Sequence, residues 1–294
     1  MSKFRLSWAR QCGERKAKEH GFEAFPIDPF QIAVSEDIIV EPKAPDQVGV
    51  SGGIIFGDAG VGIFYATNIK SDGFQRFTVA HELGHYFLEG HPEEILKSSP
   101  FHVSRAGFSQ GGSSIEIEAD HFASGLLLPT RLVSRELQRE RIGLQGIENL
   151  ADLSRCSLTA SAIRSAECSP YPMAVIVSSG ASINYGFMSD GFKRLGRLTY
   201  PRKGSALPAS TTRNFNADAT NVASGRRECG QTSIADWFDG PKGIHLDEEV
   251  IGLGSYGLTL TVLSSEDLPD DPDEEEDEEA VLIEQYTPRF AYGR

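Results

Sequence analysis

Long apolar runs are missing from this 294-residue chain. The longest, such as Leu126–Leu128 and Met173–Val177, fall far short of the ~20 residues needed to span a bilayer. The opening stretch MSKFRLSWARQCGERKAKEHGF has no apolar core of the kind a secretion signal carries. Cysteine is scarce: Cys12, Cys156, Cys168 and Cys229 include no Cys-x-x-Cys pair and suggest no disulfide framework. A soluble protein in a reducing cytoplasmic setting, away from membranes, is therefore expected. A broad basic field is also missing. Net charge is -14, and residues 266–294 hold twelve acidic residues against Arg289 and Arg294, which leaves only -4 on residues 1–265. Direct binding to nucleic acid is not expected of so balanced a body and so acidic a tail.

What is present is an ordinary globular composition, with 39% apolar residues, which excludes a wholly disordered chain. The length allows roughly two folded units. Residues 3–20 read as a helix with Phe4, Trp8 and Cys12 on one side, broken by Pro26 and Pro29. Ile38–Val40, Gly53–Phe56 and Val61–Ile69 read as strands, the last two joined by the hairpin signal Gly57-Asp58-Ala59-Gly60. Ser71-Asp72-Gly73 reads as a turn. Phe74–Glu89 then has Phe77, Ala80, Leu83 and Phe87 at helical spacing. Residues 91–112 read as loop, and helices are expected over Ser114–Leu128, Thr130–Arg141, Ile147–Cys156 and Thr159–Cys168.

The chemistry sits in His81-Glu82-Leu83-Gly84-His85. On a helix, positions i and i+4 share a face, so His81 and His85 can reach one ion. Glu82, one residue round, can contact a water on that ion without having to ligate it. This is the arrangement of a zinc peptidase, two His ligands and a Glu general base. Such a site needs a third protein ligand and an open position for water. One candidate is His91, at metzincin spacing, but that motif has Gly three residues after the second His and this chain has Leu88. Were the helix to run on through Leu88, His91 would lie about 240° round from His85, and it is expected to be a cap or a solvent-facing side chain. The other candidate is Glu116, which with Ser113 forms a capping-box signature and has Asp120 one turn later. Asp120 can hold a ligating His by its far N–H and fix its tautomer. Ala119 and Ala123 allow close approach to the His helix, and Glu118, about 200° away from Glu116, is expected to face solvent.

Arg76-Phe77-Thr78-Val79-Ala80 followed by His81–His85, together with Glu116-x-x-Ala119-Asp120-x-Phe122-Ala123-x-x-Leu126-Leu127-Leu128-Pro129, resembles the ImmA/IrrE family of metallopeptidases over roughly residues 10–165. The family often has Met where this chain has Leu128, a volume-conserving change. The resemblance implies a zincin-like fold, one Zn²⁺ held by His81, His85 and Glu116, Glu82 as base and Asp120 as support. It also implies an intracellular regulatory endopeptidase whose protein substrate is a transcriptional repressor or antitoxin-like regulator. The expected fold class is α+β: a zincin-like metallopeptidase domain (1–135), a helix-turn-helix-like helical hairpin (136–169), a small C-terminal α/β unit (170–265) and an acidic disordered tail (266–294).

Several points stay open in the sequence. Tyr65, Tyr86, His102 and His121 are candidates for stabilising an oxyanion. Val61–Ile69 could offer its edge to an extended substrate. Gly146–Cys168 resembles a helix-turn-helix, but Arg155 and Arg164 stand against Glu148, Asp152 and Glu167. It is better read as a hairpin that completes the protease domain. Trp237, Phe238 and Tyr256 suggest a packed C-terminal core. The rivals to the peptidase are a DNA- or protein-binding regulator with a non-catalytic zinc site, and a zinc hydrolase of non-protein amides.

Overall fold

The computed structural model describes residues 3–44, 49–105, 114–139 and 143–265. The fold is α+β. Its first part runs α1 (Lys3–Glu19), α2 (Pro29–Ser35), β1 (Ile39–Lys43), β2 (Val50–Gly57), β3 (Gly60–Ala66), α3 (Asp72–Phe87), α4 (His91–Leu96), β4 (Phe101–Arg105), α5 (Ser114–Leu127) and α6 (Thr130–Leu137). The strands form one sheet in the order β1-β3-β2-β4. β1 lies parallel to β3, and β4 lies antiparallel to β2. The expected β2–β3 hairpin is present, with Gly57 opposite Gly60.

α3 covers the inner face of this sheet, and α5 packs behind it. Ile54, Ile63, Val79, Ala80, Leu83, Phe122 and Leu126, all at most 2% exposed, form the shared core. α3 and α5 come together at Gly84, where an added Cβ would sit 3.1 Å from Ala119 Cα and 3.2 Å from Phe122 Cδ1. Any larger side chain there would force the two helices apart. α1 lies on the far side of α5, so α5 has protein on two faces.

Two short helices and one strand escaped the sequence reading. α2 starts where Asp28 accepts a hydrogen bond from Phe30 N at 3.0 Å, with Pro29 in its first turn. That pairing is a helix start signal, so Pro29 opens α2 as well as ending what precedes it. Ser71 likewise caps α3 by accepting from Phe74 N at 3.3 Å, so the Ser71-Asp72-Gly73 turn is the helix entry. α4 and β4 lie in the stretch expected to be loop.

α7 (Leu144–Ser154) and α8 (Leu158–Cys168) form the helical hairpin, turning at Arg155 with φ 56°. Ala162 and Ala166 pack against a second sheet made of β5 (Met173–Ser179), β6 (Ser182–Met188), β7 (Arg227–Ser233), β8 (His245–Gly252) and β9 (Thr259–Ser264), in the order β6-β5-β9-β8-β7. All pairings are antiparallel. Short helices α9 (Asp190–Lys193), α10 (Thr211–Asn216), α11 (Ala219–Ala223) and α12 (Ile234–Phe238) flank it. Trp237 and Phe238 are in the core as expected, but Tyr256 is 72% exposed on a tight turn. Among the described residues no helix is long and apolar enough to cross a membrane. The acidic tail and Ser113 of the capping box lie outside the described residues.

Candidate metal centre

α3 presents His81 and His85 one turn apart, and α5 brings Glu116 to meet them. His81 Nε2 and His85 Nε2 are 3.2 Å apart. Glu116 Oε1 lies 3.3 Å from His85 Nε2, and its Oε2 lies 3.5 Å from His81 Nε2. A tetrahedral ion with bonds of about 2.0–2.1 Å separates its ligand atoms by about 3.3–3.4 Å. The separations, two of them to different oxygens of Glu116, are of that size, so the three groups can share one ion, and the donor set suits zinc.

Each of the three has a further partner, the two histidines on their far nitrogens and Glu116 on the oxygen it turns to His85. His81 Nδ1 meets Asp120 Oδ1 at 2.9 Å, as the spacing of Glu116 and Asp120 suggested. Glu116 Oε1 accepts from His102 Nε2 at 2.8 Å. His85 Nδ1 faces His91 Nδ1 at 3.2 Å. Burial opposes a charge on His81, but its hydrogen bonds to Asp120 and Glu116 prevail and raise its pKa to about 10. Burial lowers His85 to about 3. Burial would raise Glu116, yet the hydrogen bonds from His102, His81 and His85 hold it far below the usual carboxylate range.

Glu82 is fully buried, and neither of its oxygens finds a hydrogen-bond partner among the described residues. Burial pushes its pKa up to about 7, against the pull of a charge on His81. Ser104 Oγ stands beside it and eases its charge without the geometry of a full hydrogen bond. Buried carboxylate oxygens are rarely left unpaired. An unpaired acid with a pKa near neutrality, beside a three-donor cluster, is what a proton carrier for a water requires.

Three expectations change. His91 is neither a cap nor solvent-facing: α3 stops at Phe87, Gly90 adopts φ 89°, and the chain turns back to bury His91 completely. Nor does it join the donor cluster, because it reaches the far nitrogen of His85. Glu118 is 3% exposed rather than solvated, since the side of α5 opposite Glu116 packs on α1 and Arg5. β3 offers no edge, being paired on both sides. The edge next to the cluster is β4, whose only partner among the described residues is β2.

Of the four oxyanion candidates, His102 alone is brought to the cluster. Tyr65 packs on the Phe30 ring at 5.4 Å, Tyr86 on Phe87 at 4.9 Å, and His121 Nδ1 meets Arg10 at 3.3 Å.

Residues 56–165, which hold the whole cluster, match the IrrE N-terminal-like domain, Peptidase_M78. The match is consistent with the ImmA/IrrE family. The family is one of metallopeptidases, in keeping with the donor set. Of solved structures, a Mycobacterium tuberculosis transcriptional regulator is similar, with a TM-score of 0.55 and 17% identity, over 90% of this chain and 82% of that one. At that identity the likeness is one of fold. No curated protein matches the chain.

Proposed function

We propose that the protein is a zinc-dependent endopeptidase of the cytoplasm that cuts an intracellular regulatory protein, a transcriptional repressor or an antitoxin-like regulator. The observation that carries the reading is the three-donor cluster of His81, His85 and Glu116 with the unpaired Glu82 beside it. One zinc ion per chain would be held by those three side chains, with Asp120 fixing His81. When bound, zinc supplies Lewis-acid polarisation of the scissile carbonyl and of a water. Glu82 takes the proton of that water and returns it to the leaving amine. With a pKa of about 7, Glu82 can both take up and release a proton at physiological pH.

β4 would receive the substrate as an added antiparallel strand, its backbone hydrogen bonds supplying affinity without sequence demands. His102 and Ser104 project from β4 towards the cluster, which would bring such a strand past Glu82.

The test is co-expression with regulators encoded beside the gene, comparing wild type with Glu82→Gln. A fragment that depends on Glu82 supports the reading. A wild type that binds no zinc at neutral pH ends it.

A further inference from the structure

A buried file of side chains runs away from the centre behind His85. His85 Nδ1 faces His91 Nδ1 at 3.2 Å, and His91 Nε2 faces Glu118 Oε2 at 3.3 Å. The same oxygen accepts from Arg5 Nη2 at 2.6 Å and Arg5 Nε at 3.1 Å. The file crosses four elements, α3, α4, α5 and α1. Both His side chains and Glu118 are at most 4% exposed.

We propose that His91, Glu118 and Arg5 act as a positioning chain that sets the tautomer of His85, presenting its Nε2 lone pair to the metal. The inference deepens the zinc reading above and rests on His85 being a ligand.

The argument is one of proton placement. Arg5 can only donate, so Glu118 stays a carboxylate and can only accept. His91 Nε2 must then carry a proton, because a bare nitrogen would set its lone pair against the carboxylate. A neutral His91 has one N–H, so its Nδ1 is bare and can only accept. Facing it, His85 Nδ1 must carry the proton, and His85 Nε2 is left with its lone pair on the side of His81 and Glu116. Reversing either imidazole places two lone pairs or two protons opposite each other. The fixed charge of Arg5 on α1 thereby decides which nitrogen of His85 is free to bind. Asp120 does the same for His81 directly. A ligand histidine held by its distal N–H is a better-oriented donor.

The test uses the full chain, freed of metal and titrated with Zn²⁺ against a chromophoric chelator. His91→Leu removes the acceptor facing His85 and is expected to weaken zinc binding about 10–100-fold. His91→Asn places an amide oxygen near the Nδ1 position, keeps that acceptor, and is expected to recover most of the loss. Circular dichroism of the metal-free variants checks that each is folded. Nitrogen-15 NMR of the zinc-loaded wild type, labelled at histidine, needs no variant. It is expected to show the proton of His85 on Nδ1 and that of His91 on Nε2. A folded His91→Leu that binds zinc as tightly as wild type overturns the chain while leaving the zinc reading intact. So does a proton on His91 Nδ1 in the labelled wild type, which decides the matter alone if His91→Leu does not fold. A wild type that takes up no zinc overturns both.

Discussion

His81 Nδ1 lies 2.9 Å from Asp120 Oδ1, while its Nε2 turns to the cluster formed with His85 and Glu116. The carboxylate can only accept, so it holds the proton of a neutral His81 on Nδ1 and frees Nε2. Asp120→Ala removes that hold and is expected to weaken zinc binding about 10–100-fold, with Asp120→Asn falling between because its amide oxygen still accepts. Competition against a chelator measures both. Unchanged affinity in Asp120→Ala would reduce the pair to a surface contact.

The empty site should also exchange a proton for the metal. Burial opposes charging His81, but Asp120 and Glu116 raise its pKa to about 10, so at pH 7 it is an imidazolium. Burial lowers His85 to about 3, which leaves it neutral already. Zinc needs both nitrogens bare, so binding should release about one proton at pH 7, from His81, and tighten as pH rises. Calorimetry in two buffers of different ionisation enthalpy reads the proton count. No release at pH 7 would contradict the charged state of His81.

The sequence carried the His81, His85 and Glu116 cluster and its Asp120 support because the two helices obey the i, i+4 rule: His81 with His85, Glu116 with Asp120. It carried the long helices and the β2–β3 hairpin for the same reason, periodicity over many residues. β4 was illegible because its pattern is inverted. His102 and Ser104 are the side chains that face the protein interior, beside Glu116 and Glu82, while Phe101 is 43% exposed. An alternation with polar residues inward does not look like a strand. His91 and Glu118 were misjudged because their burial depends on partners far away in sequence. Glu118 is 113 residues from Arg5, and no local signal announces that α1 covers that side of α5.

Glu82 should destabilise the metal-free protein at neutral pH. Its pKa rises from the ordinary 4.5 to about 7 on burial, so the folded chain binds its proton more tightly than the unfolded chain does. Its contribution is then most favourable below pH 4.5, falls between 4.5 and 7 as the unfolded chain sheds the proton first, and levels off above 7. The difference amounts to about 3 kcal/mol at pH 8. Glu82→Gln keeps the shape and removes the charge, so the metal-free variant should outlast wild type in urea at pH 8 and lose that advantage as the pH falls to 4. Equal midpoints at pH 8 would show that the carboxylate is solvated after all.

Arg164 separates the helical hairpin's two readings. A recognition helix must leave its basic side chains free for phosphates, yet Arg164 is 2% exposed. Its Nε and Nη2 donate to Leu128 O at 3.1 and 3.0 Å, Nη1 donates to Glu167 at 2.8 Å, and Nη2 also reaches Thr130 and Glu14. It fastens α8 to the residue that follows α5, at the opposite end of that helix from Glu116. Arg164→Ala would strand the Leu128 carbonyl, leave Glu14 without its cation and leave Glu167 to Arg10 alone, a change expected to remove about 3 kcal/mol of stability. Urea unfolding with the zinc-binding midpoint as a second readout tests this. A variant that unfolds like wild type but loses affinity for DNA would restore the recognition-helix reading and with it the regulator as a rival to the peptidase.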